Sequence, residues 1–578
     1  AAAHEGAAPR AAPVPRAAVP PPVAPEGVRC FVPGWLRKTR VWGVAAQLYQ
    51  LRSDRNLGIG DFRDLADLAE RAAALGADFV GVNPLHALFL ADPERASPFS
   101  PSSRRFLNPL YIALEAVPGH DPADVDDAAR RALQATDVVD YASVAATKRG
   151  ALVKAWSRFS AGMALDADGQ AARFRAFRDS RGKPLELHAL FEALSEKMVA
   201  DGHGAGWTTW PDRYRDHAGE AVAAFGALHA EAVDFHAWLQ WLAFEQLCAA
   251  QAAARAAGMR IGLYLDFAVG TASDGSATWS DPRLSLPSAR VGAPPDLFSV
   301  NGQDWGLAPF SPPELVARGL APFRELMSVT MEPAGAVRID HAMALYRIWL
   351  VPDGATARTG AYVLMPMEGL VRELAALSRR HRTILIGEDL GLVPEGFREA
   401  MRRLELQSYR IVYFEKDGPR FRQPASYPRA SLACLSTHDL PALAGWWKGV
   451  EIDRREELGM IDADKAAAEW AEKVSDRRAL VRAIERAGLA DGTAGAETAG
   501  TVTPALAAAV HAFGARTRSR LFAVRLEDLA GDDGLVNLPG TDREHANWRR
   551  KIAPDLSTLF EGPLAAAILE AVRRERPS

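Results

Sequence analysis

A chain of 578 residues exceeds one minimal domain and suits a large barrel with insertions, or two to three domains, around a sizeable core. Its net charge of −4 and pI near 6.4 come from interspersed charges of both signs, which disfavours nucleic acid or an anionic membrane surface and fits a neutral substrate. Three widely spaced cysteines, Cys30, Cys248 and Cys434, form no CxxC and read as reduced, mostly buried thiols of a cytoplasmic protein, and no apolar run approaches the ~20 residues of a membrane span.

Residues 1–27 are Ala/Pro-rich and carry almost no large apolar side chains, so a tail or linker is expected: too little surface can be buried to offset ordering entropy. They show neither a signal pattern nor an initiator Met, and a truncated start is expected. Residues 28–578 read as one barrel domain. From Val41, VWGVAAQLYQL makes a first strand, RSDRNLGIGD a loop, and FRDLADLAERAAAL a helix capped by Asp61 and ended by Gly76. ADFVGVNPLHAL follows as a second strand, completing a βαβ unit with parallel strands. The next loop, ADPERASPFSPSSRRFLNPLYI, is long and turn-rich, and long loops at strand carboxyl ends are where barrels build their sites. From about 120 to 255 the pattern turns helical and Ala-rich, which reads as an insertion. Its strongest helix, DFHAWLQWLAFEQLCAAQAAARAAG, places Phe235, Trp238, Leu239 and Leu242 on one buried stripe.

Strand character returns in GMRIGLYLDFAVG, ending at Asp266, and in AVRIDHAMALYRIWL, with the Pro-, Gly- and aromatic-rich loop VGAPPDLFSVNGQDWGLAPF between them. TILIGEDLG, YRIVYFE, SLACLSTHD and RLFAVRLEDLAG follow, each a short apolar run ending in acidic or His residues, with helical segments between. The strands start near 42, 79, 260, 337, 383, 409, 431 and 520, which specifies an α/β fold, a (β/α)8 TIM barrel with large, mainly helical insertions.

The run VRIDH ends a β-branched strand in a charged triplet. Residues two apart share a strand face, so Arg338 and Asp340 project together while Ile339 packs the other way. A carboxylate beside a guanidinium stays ionised, as a nucleophile requires, although a structural ion pair gives the same pattern. In a barrel the strand ends converge, so Asp266, Asp340, Glu388 and Asp439 are expected at one mouth, two of them beside His341 and His438. HExxH, a Walker lysine loop, G-x-S-x-G and GxGxxG are absent, so metal and nucleotide chemistry are not expected. Paired carboxylates, aromatic loops and a neutral ligand point to a sugar. Retaining glycosidic chemistry needs an ionised carboxylate to attack the anomeric carbon and a protonated one, ~5 Å away, to donate to the leaving oxygen. Asp340 suits the first role. Glu388, after the apolar ILIG and before Asp389, suits the second, since burial and a like charge both keep a carboxyl protonated.

VRIDHAMALYRIW, LIGEDLGLVPEG and STHDLP resemble the 4-α-glucanotransferases called amylomaltases, or disproportionating enzymes, of the α-amylase clan. The resemblance covers roughly residues 28–560 and runs, in the family's order, through RCFVPGWLRKTRVWGVAAQLYQLRSDRNLGIGDF, NPLHAL, SPFSPSSRRFLNPLYI, GLYLDFAVG, GAPPDLFSVNGQDWG, SYRIVYFE and NLPGT…NWRRK. It implies that Asp340 is the nucleophile, Glu388 the acid/base and Asp439 the third carboxylate, which grips sugar hydroxyls. It further implies Arg338, His341 and His438 as partners of those carboxylates, Asp266 as a donor-side ligand, Asn537 as a glucan contact, and Phe298, Gln303 and Trp305 as lid residues beside the acceptor sites. Two positions depart from the family: Phe99 stands in SPFS where Tyr is usual, and Ala442 in STHDLPALAGWW where Thr is common. Losing the phenol removes a hydrogen bond and keeps a stacking face, which bears on substrate preference more than on activity. Longer members carry an amino-terminal β-rich region, whose trailing edge RCFVP resembles. The expectation is a cytoplasmic transferase that cuts an α-1,4-glucan donor, holds the piece on Asp340 and passes it to the 4-hydroxyl of glucose or another glucan, with no cofactor, nucleic acid or membrane partner. An α-glucan hydrolase using the same carboxylates is the nearest alternative, and a catalytically silent glucan-binding scaffold the more distant one.

Overall fold

The structure is a computed structural model and describes residues 21–164, 166, 169–295, 301–493, 495 and 500–577. Residues 1–20 of the expected tail, and Phe298, lie outside the described residues.

Eight strands close into a parallel barrel. In chain order they are β1 (Val41–Ala46), β2 (Phe79–Val82), β3 (Gly262–Phe267), β4 (Ala336–Ile339), β5 (Ile384–Gly387), β6 (Gln407–Ile411), β7 (Ser431–Cys434) and β8 (Leu521–Arg525). Each pairs with its sequence neighbours, and β1 meets β8 with Val41 beside Leu521, so the sheet has no edge. Runs such as GLYLDF and LFAVR are buried at every residue, as expected when one face fills the barrel and the other meets helices.

The first crossover helix, α1 (Phe62–Ala74), starts in a capping box: the Asp61 carboxylate accepts from the Arg63 and Asp64 amides, and Asp64 accepts from the Asp61 amide, each at 3.0 Å. It stops at Gly76, whose φ of +90° lies in the region that favours glycine. Between β2 and β3 lie several helices, including the kinked α2 (Gln170–Ala200) and α3 (Ala230–Ala256). The stripe of Phe235, Trp238, Leu239 and Leu242 is buried, and α3 packs on α1 and β3, so this last helix belongs to the barrel's own outer ring while α2 packs outside it. Further on, α4 (Ala321–Met331) precedes β4 and α5 (Met367–His381) precedes β5.

Two further features differ from the sequence expectation. Between β6 and β7 no α-helix forms: Gly418, Pro419, Pro424 and Pro428 interrupt the segment, which makes a two-residue antiparallel pair and two 3-10 turns. The aromatic-rich stretch after β3 is largely sheet. Ala289–Ala293 and Gln303–Ala308 pair antiparallel and join Arg347–Pro352, Ala361–Leu364 and Thr271–Ala272 in a five-stranded wall over the mouth. Its own small core is Val291, Leu307, Ile348 and Leu350. Gly292 is needed there, because a Cβ would stand 2.1 Å from the Gln303 carbonyl oxygen.

Candidate active site

A cleft of about 1560 Å³ opens at the carboxyl ends of the strands. Register explains who meets whom in it. Arg338 on β4 sits level with Asp266 on β3 and Ile386 on β5, so its guanidinium spans neighbouring strand ends. Nη1 donates to both Asp266 oxygens (2.7 and 2.8 Å), while Nη2 pairs with Asp340 Oδ1 at 3.0 Å. One buried cation therefore orients two carboxylates.

Asp340 and Glu388 are each the first residue beyond their strand, β4 and β5. Their amides continue the ladder, donating to Phe267 O and Ile339 O at 3.0 Å. Gly387 lets the chains close up here, since a Cβ would stand 3.0 Å from Ala342 Cβ. Glu388 is 7% exposed and accepts two backbone hydrogen bonds, from His341 N at 2.9 Å and Leu390 N at 2.6 Å. His341 can aim its amide this way because its φ is +45°. Burial raises the Glu388 carboxyl to about 7, with the negative charge of Asp340 adding to it and Arg338 opposing. The like charge is thus Asp340, rather than the neighbouring Asp389 that the sequence suggested. Asp389 faces away, fully buried, and accepts from Arg398 Nε (2.9 Å), Ser408 Oγ (2.6 Å) and Tyr409 N (2.8 Å). Adjacent residues on a strand end face opposite ways, so sequence adjacency here does not mean electrostatic proximity.

Asp439 lies beyond β7 and reaches the cleft from a loop. Its Oδ1 accepts from Asn537 Nδ2 at 2.7 Å, and His438 Nε2 is 3.3 Å from Oδ2. The side chain is exposed to the cleft, and His438, Asn537 and Arg338 hold its carboxyl down at about 2, ionised. The loop is pinned from behind by buried Arg525 at the end of β8, whose Nη1 donates to Ser436 Oγ, Thr437 O and Leu440 O. Burial holds His341 below the usual imidazole range, and therefore neutral near pH 7.

Aromatic rings line both flanks. Phe99 stacks on His438 at 4.5 Å and meets Trp548 at 5.4 Å. On the other side Trp305 meets the His341 ring edge-on at 5.3 Å, and its Nε1 donates to Gln303 Oε1 at 2.9 Å. Asp340, Glu388, Asp439, Arg338, His341, His438, Phe99, Gln303, Trp305 and Asn537 all line this one cleft. Asp266 does not; it stands behind Arg338 and lines a separate cavity. Trp548, whose ring completes the Phe99–His438 cluster, and Arg525 do not stand out in the sequence. Only the segment NWRRK hinted at the former, and nothing local marks an arginine that acts on another strand's loop. Among the described residues no group of three or more His, Cys, Asp or Glu side chains is arranged to hold a metal ion.

Buried, protonatable Glu388 in one cleft with Asp340 and ionised Asp439, between flat aromatic walls, is suited to acid-assisted displacement on an uncharged, ring-shaped substrate. A family model described as 4-alpha-glucanotransferase matches residues 46–557. The 4-alpha-glucanotransferase of Haemophilus influenzae is 37% identical over 544 residues, 92% of this chain and 78% of that protein. That of Mycobacterium tuberculosis is 37% identical over 571 residues, covering 94% and 76% respectively. Among solved structures, amylomaltase from Corynebacterium glutamicum superimposes with a TM-score of 0.83 at 30% identity, covering 93% of this chain and 76% of that one.

Proposed function

The chain belongs to the 4-alpha-glucanotransferase family, and from that premise we propose how its own residues carry out the transfer. Asp340 attacks the anomeric carbon of an α-1,4-glucan while Glu388 gives its proton to the departing 4-oxygen; the glycosidic bond breaks and a glycosyl ester on Asp340 forms. The leaving piece departs, and Glu388, now a carboxylate, takes the proton from an acceptor 4-hydroxyl whose oxygen displaces Asp340. The acceptor is glucose or another glucan. Asp439, ionised and aligned by Asn537 and His438, grips sugar hydroxyls. Arg338 pairs with Asp340 and turns it to the cleft, with Asp266 anchoring Arg338 as a positioning residue. The observation that carries this reading is Glu388, held protonatable in a cleft it shares with Arg338-paired Asp340. The test is maltotriose: glucose plus a ladder of longer chains supports it, whereas glucose and maltose alone would make the chain a hydrolase.

A pH expectation follows from the sign of the Glu388 shift. The acid must be protonated, and its carboxyl is raised to about 7, so kcat/KM declines as pH rises through that value, about tenfold per unit beyond it. A rate on maltotriose that is flat between pH 6 and about 9 would remove Glu388 from the role.

Transfer also requires that water, ~55 M, lose to the acceptor, and Trp305 supplies a flat face for an acceptor ring on the strand-built wall. Trp305→Ala is expected to raise the ratio of hydrolysis to transfer roughly tenfold to a hundredfold, by analogy with about 1.5–3 kcal/mol for burying a large apolar side chain. Free glucose against total transfer product at matched maltotriose gives the ratio, and an unchanged ratio in a well-folded variant sinks the idea. We propose a cytoplasmic setting for the activity, supported by free cysteines of which Cys30 and Cys434 are buried. Among the described residues no helix is long and apolar enough to cross a membrane.

A further inference from the structure

Behind Asp266 lies a second cavity of about 380 Å³ that shares no lining residue with the glucan cleft. Its walls come from the strand Ser103–Leu107, from α3 and α4, and from the kink of α2. The kink is written into the chain. Gly182 takes φ +56° and ψ −145° inside the helix, and Pro184 has no amide hydrogen to donate, so α2 bends where the cavity opens. Three phenyl rings, Phe106, Phe177 and Phe244, face the space.

The polar groups around it are nearly all spoken for. Gln240 exchanges both ends of its amide with the Leu107 backbone at 2.9 Å, Ser180 Oγ donates to Phe177 O at 2.8 Å, and Thr330 Oγ1 donates to Leu326 O at 3.0 Å. Arg105 pairs with Glu325, Arg181 with Glu332, and Asp266 with Arg338. Arg104 is the exception. It is 6% exposed and has no carboxylate partner among the described residues; Nη1 donates to the Ala268 and Val269 carbonyls (2.9 and 2.8 Å), and Nε, sealed from solvent, has no acceptor. A buried cation without a counter-charge is costly, and a guanidinium matches a carboxylate in shape and charge. A sugar finds few free donors or acceptors here, and a large apolar body finds three rings.

We propose that this cavity is a binding site for a small aromatic monocarboxylate, its ring among the phenyl groups and its charge against Arg104. The volume falls within the range of small-molecule sites. The experiment is titration calorimetry of the full chain with 2-naphthoate as probe and neutral 2-naphthalenemethanol as control. One saturable site for naphthoate, with the alcohol at least about tenfold weaker, is expected. Val329→Trp, which fills the space from α4, and Ser180→Trp, at its exposed rim, are each expected to weaken naphthoate by about tenfold or more at an unchanged melting temperature. Arg104→Met is expected to erase the preference for the anion; if that variant fails to fold, the naphthoate-to-alcohol ratio of the unaltered chain tests the charge alone. No saturable binding up to about 5 mM would overturn the proposal. So would binding that both tryptophan variants leave untouched and saturating maltotriose displaces, since the probe would then sit in the glucan cleft.

Discussion

Asp340→Asn is expected to abolish turnover and to leave the fold intact. The substitution removes the attacking charge at nearly constant volume, and losing a nucleophile costs several decades, so kcat on maltotriose is expected to drop by about four orders of magnitude. The fold survives because Arg338 is not orphaned: Asp266 still takes Nη1 through both oxygens, and the asparagine oxygen can still accept from Nη2. A second consequence separates this variant from a merely damaged one. Asp340 is one of the charges that raise Glu388, so its neutralisation lets Glu388 ionise at lower pH, and a titration of that carboxyl in the variant moves down from about 7. More than about a hundredth of the original activity would count against Asp340 as nucleophile.

Glu388→Gln behaves differently on both counts. On maltotriose the rate should drop by about three to four decades, because the 4-oxygen leaves without a proton. A glucosyl fluoride donor, whose leaving group needs none, should form the Asp340 ester at a rate much closer to normal. A fluoride donor that is no faster than maltotriose would dismiss Glu388 as the acid. The variant should also be less stable than Asp340→Asn, by about 1–3 kcal/mol. The carboxyl accepts from two amides, His341 N and Leu390 N, whereas a glutamine offers one oxygen and turns an NH₂ toward the other amide. Denaturant midpoints of the two variants, measured side by side, read this difference directly.

Much of this site was legible in the sequence because a parallel barrel writes it in a simple way. Each strand is a short apolar run, and the residue after it is what reaches the mouth, so Asp340 and Glu388 stand out at the ends of AVRI and ILIG. The α1 cap and the α3 stripe were equally local and equally visible. What could not be read were relations between segments. Asp389 looked like Glu388's electrostatic neighbour and is turned to Arg398 and Ser408 instead. Asp266 read as a strand end like the others, yet its strand runs on to Phe267 and register hands Asp266 to Arg338 and the chamber behind. The Trp305 segment lacked the alternation of a strand, since its pairing is fixed by Gly292 and by partners far along the chain.

Arg525 ties the β7 loop, with His438 and Asp439, to the last strand of the barrel. During synthesis that strand emerges after every other one, and its partner β1, at Val41, has by then been waiting for most of the chain's length. Asp340 and Glu388, on neighbouring strands in the middle of the sequence, can find each other earlier. Until β8 arrives, β1 and β7 are open strand edges able to pair with another chain, and the Asp439 loop has no anchor. A ribosome that stalls before Leu521 would therefore release a chain with its first two carboxylates assembled, its third adrift and two sticky edges exposed. Full-length synthesis is in this sense the last step in building the catalyst, and the closing of β1 on β8 is the event a chaperone would have to protect.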